Sequence, residues 1–417
     1  MPTKAVIISI GDEILYGQTL DTNAHWISGE LNKAGIQVEK RYTIGDRREE
    51  ILSTLKEAEE RAKIILITGG LGPTSDDLTK PCLLEYFDTY LVRNESVLNH
   101  IIELFTTRGR EVTEVNKAQA DIPANGKAVP NILGTAPGVW IEENGKVFVS
   151  MPGVPYEMQQ MMTDTVIPQL REKYVKGELL HRMIRTIGIP ESALANMIRE
   201  WETNLPKAIK LAYLPTKGSV KLRLTAKRED EDHFQTQKLI QEEINKVLPT
   251  IEKYVYGFDD EEIEEAIGRM LLESKMSLST AESCTGGYLS HKITSVPGSS
   301  QWYEGGFIPY SNKFKNEQLR VPLEMLEEHG AVSKPVVLVL AENVRKAFNT
   351  SIGVSISGIA GPTGGTEEKP VGTVWIGYSD QRKTVAKKFL FTKDRLINIH
   401  YTAMAALDMI RINLTKD

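Results

Sequence analysis

The chain has 417 residues and only two cysteines, Cys82 and Cys284. Two thiols about 200 residues apart form neither a disulfide framework nor a metal-binding spacing, and they fit a reducing compartment. Its seven histidines (His25, His100, His181, His233, His291, His329, His400) include no H-x-E or HExxH pair. That removes the usual support for a zinc hydrolase. No apolar run approaches the roughly 18 residues needed to cross a bilayer. The run 5–10 breaks at Gly11-Asp12-Glu13 and is too short for the core of a signal peptide. A cytoplasmic location with no membrane partner is the expectation. An excess of one charge is lacking too: 50 basic and 56 acidic residues leave a net −6, which argues against wholesale nucleic-acid binding.

What is present is an ordinary globular balance, 41% apolar and 25% charged. At about 150 residues per domain, it is enough for two to three cores. Over 1 to about 170 the pattern alternates strand and helix. Buried-strand runs cover 4–10 and 64–68, and 38–44 reads as a further strand between them. Asp21-Thr22-Asn23 can cap a helix that places Ile27 and Leu31 on one face. Asp46 followed by Glu49 resembles a capping box for a helix to residue 62. This rhythm predicts a mostly parallel sheet covered on both faces. From 175 to 255 the order becomes β-α-β-β-α-β, with a hairpin at Pro215-Thr216-Lys217-Gly218, and reads as a small α+β module. The acidic run 259–265 opens a helix, its carboxylates on the turn that the helix dipole favours. From there the chain is again α/β.

Two places carry chemistry. The first is Thr68-Gly69-Gly70-Leu71-Gly72-Pro73-Thr74-Ser75-Asp76-Asp77, at the end of a buried strand. Glycines there let backbone amides approach a phosphate, and two adjacent carboxylates can hold a divalent cation. A tight turn with a helix-capping Asp is the competing reading. Gly11-Asp12-Glu13, Asp21-Thr22-Asn23, Asn116-Lys117, Asn131 to Gly138 and Met151-Pro152-Gly153 also fall at plausible strand ends, where loops converge on one crevice. This set resembles the molybdopterin-binding-like domain of the CinA (competence/damage-inducible) family. The resemblance implies a doubly wound fold and hydrolysis of the ADP-ribose pyrophosphate. It implies a divalent metal (Mg, Mn or Co), with potassium as a further candidate ion. Carried over by residue, it places Asp12, Gly69, Gly70 and Gly72 at the ligand and Asp76 and Asp77 at the metal, with Asn23, Asn116, Lys117 and Gly153 beside them. Molybdopterin binding is the alternative for the same pocket.

The second place is Leu278-Ser279-Thr280-Ala281-Glu282-Ser283-Cys284-Thr285-Gly286-Gly287, a strand turning toward a helix. Amides at such a turn can bind an oxyanion or phosphate, whereas Ser283 could simply be a helix N-cap. A serine nucleophile needs a base. Tyr310-Ser311-Asn312-Lys313 offers a lysine, as in Ser–Lys hydrolases. Cys284 is a rival nucleophile. Ser355 to Thr366 is a second strand-to-glycine-loop junction.

These segments, over about 258–412, resemble the C-terminal domain of the same family, whose members include nicotinamide-nucleotide amidases. The resemblance implies hydrolysis of nicotinamide mononucleotide to nicotinic acid mononucleotide and ammonia, with no cofactor. Ser283 matches the nucleophile, Lys313 its base, and Tyr310 a residue handling protons or the ring. Thr285, Gly286, Gly287, Ser357, Gly361, Gly364 and Gly365 match substrate contacts, and Arg395 a phosphate contact. Lys393 and Asn398 depart from the family's pattern, which has Gly and a second Arg there.

Residues 173–255 resemble the family's KH-like connector. Lys207, Lys210, Lys217, Lys221, Arg223, Lys227 and Arg228 could form an RNA face, but no GxxG loop is present to clamp a backbone. A spacer or dimer contact is expected instead. The expected architecture is therefore α/β: a doubly wound molybdopterin-binding-like domain (1–172), a small α+β KH-like module (173–255) and an α/β sandwich amidase domain (258–417). A cytoplasmic homodimer acting on small nucleotides is the implied whole. A non-catalytic adaptor in DNA uptake or repair is the alternative.

Overall fold

The computed structural model describes residues 3–74, 77–107, 109–175, 179–227 and 233–414. The chain forms two compact units, Met1–His181 with Ala226–Gln237, and Arg182–Thr225 with Lys238–Asp417.

The first unit contains strands β1 (Lys4–Ile10), β2 (Gln37–Ile44), β3 (Ile64–Thr68), β4 (Leu91–Arg93), β5 (Asp121–Pro123), β6 (Gly126–Val129), β7 (Gly138–Glu143) and β8 (Lys146–Met151). Six of them form one sheet in the order β2-β1-β3-β8-β7-β6; β4 and β5 pair separately. The β2-β1-β3-β8 part is parallel and β7 and β6 run antiparallel. β3 is buried at every position because it lies inside the sheet under apolar cover on both faces. One face packs Ala5, Ile7, Leu66 and Val149 with Ile27 and Leu31 of helix Thr22–Lys33. The other packs Val6, Ile8, Ile65 and Ile67 with Ile51, Leu55 and Ala58 of helix Arg48–Arg61. Asp21 caps the first of these helices through the Ala24 N–H at 2.9 Å, as its sequence suggests. The second has no side-chain cap. Asp46, expected as its capping residue, instead accepts the Asp12 N–H at 3.0 Å.

The middle of the chain adds β9 (Leu179–Ile187), β10 (Ile209–Thr216), β11 (Ser219–Lys227) and β12 (Val255–Phe258), in the order β10-β11-β9-β12. Val220, Leu222 and Leu224 are buried on one face, as the alternation requires. Ile187 and Tyr256 belong to the same apolar core as Ile263, Leu278, Trp302, Tyr378 and Leu407.

The C-terminal sheet consists of β13 (Leu278–Ala281), β14 (Tyr303–Phe307), β15 (Ile352–Gly358), β16 (Thr373–Ser379) and β17 (Thr384–Leu390), in the order β14-β13-β15-β16-β17. β14, β13 and β15 are parallel; β16 and β17 return antiparallel. The carboxyl ends of the three parallel strands therefore open on one side, where ligands bind in open α/β sheets. No helix among the described residues is long and apolar enough to cross a membrane.

Candidate active sites

At that open side lies a small cavity of about 210 Å³, lined among others by Ser283, Cys284, Tyr310, Lys315, Ser357 and Arg395. Ser283 follows the end of β13 and is nearly buried. Its Oγ lies 3.2 Å from the Nζ of Lys315. The same ammonium donates to the carbonyls of Pro309 at 2.9 Å and Tyr310 at 3.3 Å. Lys315 is buried and has no carboxylate partner among the described residues, so burial pushes its pKa below the ordinary 10.5. In the charged form three N–H groups meet three oxygens. On losing one proton, the amine keeps two N–H groups for the two carbonyls, and its lone pair faces Ser283.

The base expected from sequence was Lys313, but the structure places Lys315, not Lys313, beside Ser283. Helix Asn312–Leu319 turns by about 100° per residue, so Lys315 and Leu319 share its buried face. Lys313 lies on the opposite face, its side chain 72% exposed and 3.8 Å from Glu317. Ser283 is not a helix cap either: the following helix, Tyr288–Thr294, starts after Gly287 in the left-handed region. The amides of Gly286, Gly287, Leu289 and Ser290 are taken up within the turn itself. The buried carboxylate of Glu282 accepts the N–H groups of Gly287 (3.1 Å), Leu289 (3.0 Å) and Ser290 (2.8 Å), and the Ser290 hydroxyl (2.6 Å). Gly286 N–H returns to the Ser283 carbonyl at 3.1 Å. Thr285, Gly286 and Gly287 thus shape the turn and do not line the cavity. Glu282 was not singled out by sequence; its signal is a carboxylate in an otherwise apolar and hydroxyl-bearing strand end. Glu282→Ala is expected to orphan three backbone donors, one fully and two partly buried, and lower unfolding stability by about 3 kcal/mol, readable as a reduced urea midpoint.

Cys284 also lines the cavity, but burial raises its thiol pKa to about 12. At neutral pH it is a thiol and not a nucleophilic thiolate. Cys82 is buried and shifted upward as well. Native protein at pH 7.5 is therefore expected to resist iodoacetamide, with both thiols labelled only after unfolding. Rapid native labelling of Cys284, seen by mass spectrometry, would contradict this.

Tyr310 stands at the mouth, 60% exposed, and its hydroxyl accepts from Arg395 at 3.2 Å. Arg395 also donates to the Gly361 carbonyl at 2.9 Å. Ser357 lines the wall and donates to the Ala331 carbonyl at 2.7 Å. Gly361, Gly364 and Gly365 belong to the neighbouring loop and do not line the cavity. Asn312, Ala331, Val332, Gly358 and Ala360, which do, were not expected from sequence.

The N-terminal unit has its own crevice of about 460 Å³ at the carboxyl ends of β1, β3 and β8. Asn23 helps build it: its Nδ2 donates to Thr68 Oγ1 at 3.0 Å and to the Gly153 carbonyl at 2.8 Å. Gly69, at φ +107°, leaves no room for a side chain, because a Cβ there would stand 2.1 Å from the Ile10 carbonyl oxygen. Gly69, Gly70, Gly72, Asn23, Gly153 and Asp77 all line the crevice. Asp12 does not: its carboxylate lies against Gly45, and Gly11 and Glu13 form the wall. Asn116 and Lys117 do not either, since Asn116 completes a capping box with Thr113 and Lys117 pairs with Glu114. The residue of that segment in the wall is Gln119.

Asp76 lies outside the described residues. Asp77 accepts the N–H of Thr74 at 2.9 Å, and also its hydroxyl, with one carboxylate oxygen. No group of three His, Cys, Asp or Glu side chains among the described residues is placed to hold a metal ion. The described carboxylates alone therefore do not build a metal shell.

Comparisons with known proteins divide the chain in the same sense. Residues 6–172 match a probable molybdopterin binding domain, 181–257 a damage-inducible protein CinA KH domain, and 260–414 the CinA C-terminal domain. A CinA-like protein of Cytophaga hutchinsonii is 49% identical over 99% of this chain and 98% of its own. A putative competence-damage inducible protein of Caldicellulosiruptor bescii is 38% identical over 98% of both. The chain belongs to the CinA family. Within this CinA chain, the departure at Asn398 has a structural reason. Asn398 is buried and accepts from the Thr392 N–H (2.9 Å), while its Nδ2 donates to the Ala360 carbonyl (2.9 Å). It fastens the cavity wall. Lys393 does not line the cavity, whereas Arg395 does, which makes Arg395 the cation at the mouth.

Proposed function

We propose that the C-terminal domain is an amidase that hydrolyses nicotinamide mononucleotide to nicotinic acid mononucleotide and ammonia. The observation that carries this reading is the buried Lys315 amine facing the Ser283 hydroxyl. A cavity of about 210 Å³ suits the carboxamide-bearing ring alone. Ribose and phosphate would remain at the mouth, beside Tyr310 and Arg395. Neutral Lys315 takes the Ser283 proton as Oγ attacks the carboxamide carbon. The tetrahedral adduct breaks its C–N bond, Lys315 returns the proton to the departing nitrogen, and ammonia leaves. Water, deprotonated by Lys315, then cleaves the acyl ester and restores Ser283. Purified protein incubated with nicotinamide mononucleotide should release ammonia and nicotinic acid mononucleotide in equal amounts. Absence of both from folded protein would refute the assignment.

For the N-terminal crevice we propose binding and hydrolysis of the ADP-ribose pyrophosphate. The support is the glycine turn at the end of β3, closed against Ile10 and opening on the crevice at the strand ends. Asp76 with Asp77 would hold a divalent ion, which would supply charge neutralisation for the pyrophosphate. Asp76→Ala combined with Asp77→Ala should abolish release of AMP; unchanged release would mean these carboxylates only order the turn.

A further inference from the structure

A separate cleft of about 620 Å³ lies between the middle module and the last helix, Arg395–Leu414. None of its lining residues lines the Ser283 cavity. We propose that it is a binding site for a flat aromatic molecule bearing an anionic group such as a phosphate.

The flat wall comes from β17 and the residues after it. Strand alternation puts Lys387, Phe389 and Phe391 on one side. The rings of Phe389 and Phe391 lie 5.5 Å apart and nearly parallel, at 15°. Tyr401, on the last helix, meets Phe391 at 5.8 Å. A planar guest can extend such a stack. The charge comes from two exposed ammoniums. Lys387 lies 5.0 Å from the Phe389 ring and Lys253 lies 4.8 Å from the Tyr254 ring. Among the described residues neither forms an ion pair, so both remain available to an anion. Arg411 contributes no free charge. It is buried and held by Asp408 at 2.7 Å and by the Lys253 carbonyl at 2.8 Å, which fixes the wall. The volume falls within the roughly 300–1,000 Å³ of small-molecule pockets. Rings and unpaired cations together select an aromatic anion over a neutral ring or a cation.

The test is calorimetric titration of 1-naphthyl phosphate into the full chain. One equivalent should bind, and the Lys253→Glu, Lys387→Glu double variant should weaken it at least tenfold. Both lysines are exposed, so the thermal unfolding midpoint of that variant should match the wild type. 1-Naphthol should bind at least tenfold more weakly than its phosphate. Absence of binding at millimolar ligand, or binding indifferent to the charge reversal, would overturn the proposal. Loss of binding in Arg395→Ala would overturn it too, because the anion would then be held at the Ser283 cavity.

Discussion

Ser283→Ala is expected to lower kcat for ammonia release from nicotinamide mononucleotide by roughly four orders of magnitude or more, by analogy with loss of a serine nucleophile elsewhere. The hydroxyl is the group that would form the acyl bond, and the neighbouring thiol of Cys284 cannot replace it while burial keeps it protonated. Binding should survive, because the ring cavity and the Tyr310–Arg395 mouth are untouched. Titration of the variant with substrate separates the two effects. An affinity near that of wild type with turnover lost is the expected result. Turnover retained within tenfold would exclude Ser283 as the nucleophile.

Lys315→Met carries the second large effect. Turnover should fall by a comparable factor, since among the described residues no other amine stands at Ser283. Stability should change much less, because the donors lost by the Pro309 and Tyr310 carbonyls are offset by a second effect. A buried ammonium without a carboxylate is costly, and an apolar side chain of similar length removes that cost. The sign follows from the lowered pKa. Between the native value and 10.5 the unfolded chain holds a proton that the folded chain lacks, so wild-type stability rises with pH across that window. The gain from methionine is therefore largest below the native pKa and shrinks toward pH 10.5. Urea unfolding of both proteins at several pH values measures it. Wild-type kcat/KM should rise as Lys315 loses its proton, with its inflection below 10.5. A methionine variant that is both inactive and strongly destabilised at neutral pH would point to a structural role for the lysine.

Much of the fold was legible because its signals are local. β1 and β3 were readable as continuous apolar runs, and the hairpin between β10 and β11 as Lys217-Gly218, with Gly218 at φ +89°. The parallel strands placed Ser283 and the glycine turn at carboxyl ends, where sites form. What escaped was orientation. Lys313 and Lys315 are two residues apart in a polar helix, and choosing between them needs the buried face, which Leu319 marks four residues beyond Lys315. Glu282 escaped because its partners, the N–H groups of Gly287, Leu289 and Ser290, become donors only once the turn is folded. Asn116 and Lys117 suggested a ligand, but each finds its partner within three residues. That Ile187 and Tyr256 of the middle module share one apolar core with Leu407 of the last helix is a long-range relation, which local patterns do not encode.

The pairing of Ser283 with Lys315 is tested most directly by the initial rate of ammonia release from nicotinamide mononucleotide, compared for wild type, Lys313→Ala and Lys315→Met. The structure predicts a rate near wild type for Lys313→Ala and near background for Lys315→Met. Loss of activity in Lys313→Ala with retention in Lys315→Met would contradict it.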